Sequence, residues 1–289
     1  HRFRNLYGEI DYVLLKMSWD RLNKRSAISD DDITLKEYTQ DLSVNLNNLL
    51  ERLKTKRYKT KLIKRCYIPK ENGKRRPLGI PALEDKIVQK AASMLLEAIY
   101  EQDFKDCSYG YRRHRGAKDA VSDLTFNLQY GRFGYVVEAD IKGFFDNIDH
   151  DKLLEMLSQR INDKAFLNLI RKWLKAGILE PENYVIHPDT GTPQGGIISP
   201  VLANIYLHIV LDKWFEEEIK PRLKGKAIIY RYADDFVCAF QYQQDAESFY
   251  QQLNERLGKF GLEVCPEKTR MLPFSRNMLK RSETFDFLG

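Results

Sequence analysis

Apolar positions recur at helical spacing over much of the chain, first in the leading sixty residues at Leu42, Leu46, Leu49, Leu50 and Leu53. Further helices are predicted over residues 83–100, 117–129, 152–159, 164–175, 200–220 and 245–260. Short runs rich in β-branched and aromatic residues predict strands over residues 62–69, 77–80, 134–139, 184–186 and 285–289, and a hairpin over residues 228–240. A helix start is expected at residues 29–32 and a turn at residues 71–73. This order predicts an α+β fold in which helices cover a small antiparallel sheet.

The run from Ile228 to Phe240 places two adjacent aspartates, Asp234 and Asp235, between two apolar arms. This pattern predicts a β-hairpin with the acidic pair at its turn, and arms this apolar are expected to be buried. Two carboxylates held together in a cleft repel each other unless a cation lies between them, and their hard oxygens suit Mg²⁺. A solvated turn with two incidental acids remains the alternative for this segment taken alone.

A third aspartate, Asp140, ends the apolar run from Tyr135 to Ala139. An aspartate at the end of a strand can simply cap the turn that follows. If this strand lies beside the acidic hairpin, however, the three aspartates supply the carboxylates of a two-metal centre, whose ions lie about 4 Å apart. The sequence therefore predicts that Asp140, Asp234 and Asp235 form a metal-dependent phosphoryl-transfer site.

Positive charge is concentrated in a basic window from Lys54 to Arg76, where eleven Lys or Arg residues accompany one acid and give a charge of +10. The whole chain carries +6, so the remainder is mildly acidic at −4. Tyr58 and Tyr67 lie within the basic window, which favours base stacking combined with phosphate contact. A solvated, charged helix end is the alternative. The segment from Tyr109 to Arg115 is a second basic and aromatic patch.

Composition excludes several classes of protein. The 289 residues, 43% of them hydrophobic, suffice for one large domain or two smaller ones. No stretch approaches the roughly 18–20 apolar residues that a membrane-spanning helix needs. The four cysteines are widely spaced and form neither a Cys-x-x-Cys pair nor a zinc-binding pattern with histidine. They are predicted to be reduced, in a protein of the cytosol.

A glycine-rich loop from Gly191 to Ser199 precedes the helix predicted at residues 200–220. Its three glycines allow another backbone to approach closely, and Gln194 offers both a donor and an acceptor. Such a loop can pack against a nascent base pair. The alternative is an ordinary helix start with Ser199 as its cap.

Seven blocks, taken in order, resemble the reverse transcriptases encoded by group II introns, which are also called maturases. The blocks cover residues 68–81, 108–112, 140–146, 191–207, 232–235, 267–269 and 285–289, so the resemblance extends over nearly the whole chain. The most specific block is Thr192-Pro193-Gln194-Gly195-Gly196, followed by Ser199-Pro200 and Ala203-Asn204-Ile205-Tyr206.

The resemblance implies a right-hand polymerase of the α+β class, in which fingers and palm are built on a small antiparallel sheet packed against helices. The implied regions are an N-terminal helical extension at residues 1–60, fingers at residues 61–133, and a palm at residues 134–289 with a fingers insertion near residues 150–185. The thumb and maturase region that family members carry are expected after Gly289 and are missing from this sequence.

The resemblance also assigns the metal site. Asp140, Asp234 and Asp235 match the catalytic ligands of two Mg²⁺ ions, for which Mn²⁺ can substitute. The backbone carbonyl of Ile141 matches a further ligand of one ion.

Contacts to the incoming nucleotide are implied at Lys70, Arg76, Phe145, Pro193, Gln194 and Lys268. Among these, Phe145 matches a steric gate against a 2′-hydroxyl, and its neighbour Phe144 is expected to point into the core, as alternation along an extended segment predicts. Lys268 matches a candidate general acid for pyrophosphate, with a solvated surface lysine as the alternative. Nucleic-acid contacts are implied at Arg75, Arg112 and Arg115.

The implied function is an RNA-directed DNA polymerase that copies intron RNA into cDNA during retrohoming, from a DNA primer and deoxynucleoside triphosphates. The full-length protein would also bind intron RNA and assist its splicing. Two alternatives stay open, a protein that is chiefly an RNA-binding splicing cofactor and a retron- or CRISPR-linked reverse transcriptase. An RNA-dependent RNA polymerase is disfavoured by the bulky ring of Phe145. The resemblance implies a bacterial cytosolic location without a membrane partner, and a homodimer is left open.

Overall fold

The structure, a computed structural model, describes residues 2–23, 35–69, 73, 75–274, 285 and 287–288. The chain divides into two compact units, each made of two segments. Unit 1 comprises residues 1–99 and 149–201, and unit 2 comprises residues 100–148 and 202–289. The helix start predicted at residues 29–32 and most of the turn predicted at residues 71–73 lie outside the described residues.

The α-helices of the described residues are α1 (Tyr12–Arg21), α2 (Leu35–Gln40), α3 (Leu42–Lys54), α4 (Leu83–Tyr100), α5 (Ala117–Tyr130), α6 (His150–Arg160), α7 (Lys164–Leu174), α8 (Ser199–Leu207) and α9 (Gln243–Gly258). After α8 the chain continues through π-helical turns at His208–Asp212 and Phe215–Ile219 and a 3₁₀ turn at Lys220–Arg222. The long helix predicted over residues 200–220 is therefore confirmed, although much of its second half is π-helical.

The strands among the described residues are β1 (Ile63–Pro69), β2 (Arg75–Ile80), β3 (Tyr135–Asp140), β4 (Ile178–Leu179), β5 (Val185–Ile186), β6 (Ala227–Tyr232), β7 (Asp235–Phe240) and β8 (Arg270–Pro273). They form two four-stranded sheets, with the order β2-β1-β4-β5 in unit 1 and β6-β7-β3-β8 in unit 2. The α+β prediction is confirmed, and so are the basic hairpin of β1 with β2 and the acidic hairpin of β6 with β7.

A buried polar cluster in unit 1 ties the segment before β1 to two helices. The Tyr58 hydroxyl donates to the Asp85 carboxylate on α4 and accepts a hydrogen bond from Trp173 Nε1 on α7, at 3.1 Å. The other Asp85 oxygen accepts from the backbone N–H of Lys61 at 3.0 Å. Tyr58 and Asp85 are both almost fully buried, so each polar atom in the cluster needs its partner.

The sheet of unit 2 is antiparallel throughout and covered on both faces. On one face, Ala120, Leu124 and Leu128 of α5, spaced four residues apart, join the core around Val136 and Val237. On the other face, α9 packs its own four-residue repeat, and the rings of Phe240 and Phe249 lie 5.2 Å apart. Successive strand residues alternate between these faces, which decides where each strand-end side chain points.

The strand predicted at residues 285–289 is wrong for the described residues there, because Phe285, Phe287 and Leu288 lie outside any strand. The strand forms earlier, as β8, whose Leu272 pairs with Val136 at the edge of the sheet. Only four residues long, β8 offers too short an alternation to predict. Phe287 and Leu288 instead pack as apolar side chains against the core cluster on the α5 face. Among the described residues, no helix is long and apolar enough to cross a membrane.

Candidate active site

The acidic pair occupies the tip of the β6–β7 hairpin. Tyr232 and Asp235 form its last strand pair, so the turn consists of Ala233 and Asp234. Ala233 adopts a left-handed conformation with φ +56°, as the first central residue of a two-residue hairpin turn commonly must. The prediction that the hairpin arms are buried is confirmed, since β7 is buried from Phe236 to Phe240.

Asp140 lies directly beside the acidic turn. It is the last residue of β3 and is paired with Asp235 in the antiparallel register, and residues paired in this way carry their Cβ atoms about 4.5–5.5 Å apart on one face. Burial, a hydrogen bond with Asp140 and the charges of Asp140 and Asp234 raise the pKa of Asp235 to about 7, although Lys268 acts in the opposite direction. The three carboxylates thus repel one another in a partly buried position, as expected of a set that takes a cation.

Lys268 lies at the same edge of the sheet. Its Nζ atom is 3.3 Å from Asp140 Oδ2, so it supplies the positive charge that Asp140 contacts. A short bridge holds this segment in place, with Cys265 N–H donating to the Asp140 carbonyl and Lys142 N–H donating to the Glu263 carbonyl. The Ile141 carbonyl accepts neither of these two hydrogen bonds, which is compatible with its predicted role as a metal ligand.

A cavity of about 340 Å³ opens beside the carboxylates. Its charged lining includes Glu138, Asp140, Asp235, Lys268 and Arg270, and Arg270 Nε donates to Glu138 at 2.9 Å. Over the part of the chain that the structure describes, no three His, Cys, Asp or Glu side chains have metal-binding geometry. The donors beside the cavity are nevertheless hard carboxylate oxygens, the type that Mg²⁺ and Mn²⁺ take, so the residue types fit the predicted ions.

The two phenylalanines after Asp140 point in different directions. Gly143, with φ +55°, opens a 3₁₀ turn at Phe144–Asp146. Phe144 is buried against Tyr206, with ring centroids 6.4 Å apart, which confirms the prediction that it points into the core. Phe145 is half-buried and meets the ring of Tyr111 edge-on at 6.4 Å. The division between the two rings arises from a tight turn and not from an extended segment.

Three further residues predicted to contact the nucleotide, Arg76, Pro193 and Gln194, belong to unit 1. A fourth, Lys70, lies outside the described residues. Arg76 is exposed on β2, and the loop holding Pro193 and Gln194 packs against the same strand. Gly79 N–H donates to the Gln194 carbonyl at 2.6 Å. Gly195 has φ +101°, and a Cβ atom there would lie 2.9 Å from the Gly79 carbonyl oxygen. The glycine-rich loop therefore approaches β2 closely, as its glycines permit.

The predicted nucleic-acid contacts differ in their surroundings. Arg75 is exposed on β2. Arg112 forms an ion pair with Glu101 at 2.6 Å and donates to the Ser108 carbonyl at 2.7 Å, and its side chain is nearly buried. Arg115 lies over the ring of Tyr109, 4.5 Å from its centroid. Arg112 and Arg115 thus hold the segment that contains them, and a role in template contact stays a prediction for all three arginines.

Sequence reasoning missed a buried charge directly behind the acidic turn. Arg231 is fully buried in β6 and pairs with Asp212 from the first π-helical turn. The signal was present, because an arginine inside an apolar strand needs a buried partner. The partner could not be identified, since a π-helical turn shifts which side chains of a helix face inward.

Comparison with known proteins identifies the family. Residues 68–289 match the family model described as reverse transcriptase (RNA-dependent DNA polymerase). The chain belongs to the reverse transcriptase family. The resemblance to reverse transcriptases of group II introns is confirmed as well, because the curated relatives of this reverse transcriptase include intron-encoded proteins and maturases.

Two relatives illustrate the similarity. The group II intron-encoded protein LtrA of Lactococcus lactis subsp. cremoris is 46% identical over 171 residues, which cover 58% of this chain and 28% of that protein. Protein YkfC of Escherichia coli K12 is 37% identical over 224 residues, covering 68% of this chain and 58% of that protein. This reverse transcriptase chain therefore spans less than two thirds of either relative.

Solved structures agree on the fold. Telomerase from Candida albicans, in complex with the TWJ fragment of telomeric RNA, matches with a TM-score of 0.59 at 13% identity, covering 88% of this chain and 49% of that chain. Apo telomerase from Candida tropicalis matches with a TM-score of 0.58 and also 13% identity, over 84% of this chain and 57% of that one. The right-hand polymerase fold is therefore confirmed.

Proposed function

We propose that this chain is the polymerase part of an RNA-directed DNA polymerase of the group II intron type. The observation that carries the proposal is the pairing of Asp140 with Asp235 at the edge of one sheet, with Asp234 in the adjoining turn. Phosphoryl transfer needs negative charge stabilised at both the attacking and the leaving oxygen, and a pair of bridged metal ions does this. Asp140, Asp234, Asp235 and the Ile141 carbonyl would hold these ions.

The protein residues around this centre have distinct proposed tasks. Lys268, whose Nζ lies 3.3 Å from Asp140 Oδ2, would neutralise the triphosphate or protonate the leaving pyrophosphate. Phe145 restricts the space for a 2′-hydroxyl on the incoming nucleotide. When bound, divalent cations would supply charge stabilisation at the reacting oxygens.

The nucleotide and nucleic-acid contacts of unit 1 extend the proposal. Lys70 and Arg76 would hold the triphosphate, Pro193 and Gln194 would lie beside the new base pair, and Arg75 would contact nucleic acid. Unit 1 combines the N-terminal helices, the basic hairpin and residues 149–201, which supports a fingers region with its insertion near residues 150–185. Unit 2 supports a palm that includes residues 134–148 and 202–289, and it also takes in residues 100–133, which were predicted as fingers.

The partners follow from the same proposal. Reverse transcriptases bind RNA templates, and the relatives named for group II introns support intron RNA as the template of retrohoming. A DNA primer and deoxynucleoside triphosphates complete the substrate set.

A second function is supported by the basic window and by a plant relative. Nuclear intron maturase 4 of Arabidopsis thaliana is 28% identical over 151 residues, which cover 52% of this chain and 18% of that protein. Intron RNA binding that assists splicing can therefore coexist with polymerisation in the full-length protein. It would persist without the carboxylates, since it draws on the +10 charge between Lys54 and Arg76.

One experiment tests both activities. Full-length protein is assayed for Mg²⁺-dependent extension of a DNA primer on an RNA template, and separately for intron splicing, as wild type and as Asp234→Ala. The proposal expects extension to be lost and splicing to survive in the variant. Equal extension by the Asp234→Ala variant would rule out the proposed catalytic centre, and loss of both activities would point to general damage to the fold.

A further inference from the structure

A fully buried ion pair lies directly behind the acidic turn. Arg231, on β6 two residues before Ala233, contacts Asp212 through two parallel hydrogen bonds, from Nε to Oδ1 and from Nη2 to Oδ2, both 2.6 Å long. Neither side chain has any exposed surface. Burial by itself lowers the pKa of the Arg231 guanidinium, but the charge and hydrogen bonds of Asp212 outweigh it and raise this pKa above its usual value.

The other donors of Arg231 reach the turn and two neighbouring segments. Nη1 donates to the Ala233 carbonyl and to Asn204 Oδ1, both at 3.0 Å, and Nη2 also donates to Ser108 Oγ at 2.7 Å. A guanidinium has five N–H donors, and each of the five has an acceptor here. One of those acceptors is the carbonyl of the left-handed residue that immediately precedes Asp234.

The backbone of Arg231 is hydrogen-bonded to the segment from Cys107 to Tyr109, next to the acidic turn. Its N–H donates to the Cys107 carbonyl and its carbonyl accepts from Tyr109 N–H, both at 2.8 Å. Gly110 then lies so close that a Cβ atom there would be 2.5 Å from the Ala233 nitrogen. Asn204 Nδ2 donates to the Gly110 carbonyl at 2.7 Å, so Asn204 links the arginine to this contact.

We infer that Arg231 is a positioning residue for polymerisation, which holds the Ala233 carbonyl and so sets where Asp234 and Asp235 point. The inference deepens the proposed polymerase function and rests on it. Asp212, placed by the π-helical turn at His208–Asp212, keeps Arg231 charged and oriented, and π-helical turns of this kind are frequent at functional sites.

Energetics favour positioning over stabilisation as the reason for the pair. A buried ion pair contributes little net stability, and well-packed apolar residues often replace one without loss. An apolar pair would leave the Ala233 carbonyl without its guanidinium donor, although the β-sheet around it could still form. The left-handed backbone at Ala233 would then depend on the turn sequence alone.

The test is the double variant Arg231→Met/Asp212→Leu, made in the full-length protein so that no unpaired charge remains buried. We expect its melting temperature to fall by several degrees, because the Ser108, Asn204 and Ala233 oxygens lose a buried donor. At a temperature where the variant is folded, its kcat for primer extension should fall at least tenfold and its KM for deoxynucleoside triphosphate should change little. Hydrogen exchange supplies a readout independent of activity and of metal. In metal-free protein, the amides of residues 232–236 should exchange faster while those of residues 136–139 keep their protection.

Two control variants separate positioning from general damage. Leu253→Ala, in the buried face of α9, should lower the melting temperature without a selective change at residues 232–236. Arg231→Lys keeps a charge beside Asp212 but lacks the planar fork of a guanidinium. It should therefore show an intermediate loss of kcat and, like the double variant, faster exchange at residues 232–236. If the double variant does not fold, these two measurements on Arg231→Lys decide the question.

The outcomes that overturn the inference differ from those that overturn the function. Wild-type kcat and unchanged exchange at residues 232–236 in the double variant, or in Arg231→Lys where that variant decides, would make the pair merely structural. A wild-type protein that does not extend primers would remove the proposed function, whereas the exchange measurement would still report whether Arg231 fixes the turn.

Discussion

Asp140 and Asp235 are direct partners in the antiparallel register of β3 and β7, so two carboxylates distant in the sequence lie side by side on one face of a sheet. The two carboxylates repel each other there. Burial, together with this repulsion, raises the pKa of Asp235. This repulsion costs stability in the free protein, which is the pattern expected if the proposed cations bind there.

Neutralising one of these carboxylates should stabilise the protein while it removes activity. We expect Asp235→Asn to raise the free energy of unfolding by about 1–2 kcal/mol at pH 8 in EDTA, after allowance for the partial exposure of the site. Primer extension in Mg²⁺ should fall by at least about 10²-fold, as when an enzyme loses a preorganised electrostatic group. Urea unfolding and single-turnover extension measure the two effects.

Asp151→Asn is the matched control, because Asp151 is an exposed aspartate paired with Arg171 at 3.2 Å on the surface of unit 1. Its stability should stay within about 0.5 kcal/mol of wild type, with normal extension. A destabilised but active Asp235→Asn variant would contradict the proposed centre.

The half-buried ring of Phe145 should determine sugar selectivity. Phe145→Ala is expected to lower the preference for deoxynucleotides over ribonucleotides, measured as a ratio of kcat/KM values, by about 10- to 100-fold, the range that steric fit in a pocket supplies. Phe144→Leu tests the neighbouring buried ring, which packs against Tyr206. That control should lower the melting temperature but keep the selectivity, and the reverse pattern would exchange the roles of the two rings.

The Tyr58 hydroxyl should contribute measurably to the stability of unit 1. Tyr58→Phe removes the donor to Asp85 and the acceptor for Trp173 Nε1 in a buried cluster. We expect a loss of about 1–3 kcal/mol in the free energy of unfolding, because buried polar groups lose their partners. Tyr12→Phe removes a surface hydroxyl that contacts Ser43 Oγ at 3.3 Å, and it should change stability by less than about 0.5 kcal/mol. Equal effects of the two substitutions in urea unfolding would refute this account.

The sequence predicts the acidic hairpin and the strand before Asp140 because alternation and apolar runs are local signals. It also predicts their adjacency, since three carboxylates make chemical sense only together. It does not predict β8, whose four residues become a strand only by pairing with β3. Nor does it pair Arg231 with Asp212, because that contact depends on a π-helical turn and on the packing of a distant helix.

Arg75 and Arg76 are neighbours in β2, yet their side chains lie on opposite faces of the sheet. Arg76 is paired in register with Ile68, and Arg75 with Pro69. Because successive strand residues alternate, one arginine can contact the triphosphate while the other contacts nucleic acid. The two residues therefore serve as matched controls for each other, since both are exposed arginines on the same strand.

Arg76→Gln should raise the KM for deoxynucleoside triphosphate by about tenfold, the equivalent of one charge-assisted hydrogen bond, and leave the salt dependence of duplex binding unchanged. Arg75→Gln should leave that KM unchanged and reduce the slope of log K against log salt by about 1, because one phosphate contact is lost. Steady-state kinetics and a KCl titration of RNA–DNA primer–template binding measure both quantities. If both variants changed both quantities equally, the hairpin would be acting only as a diffuse positive surface, and separate roles for its two faces would have to be abandoned.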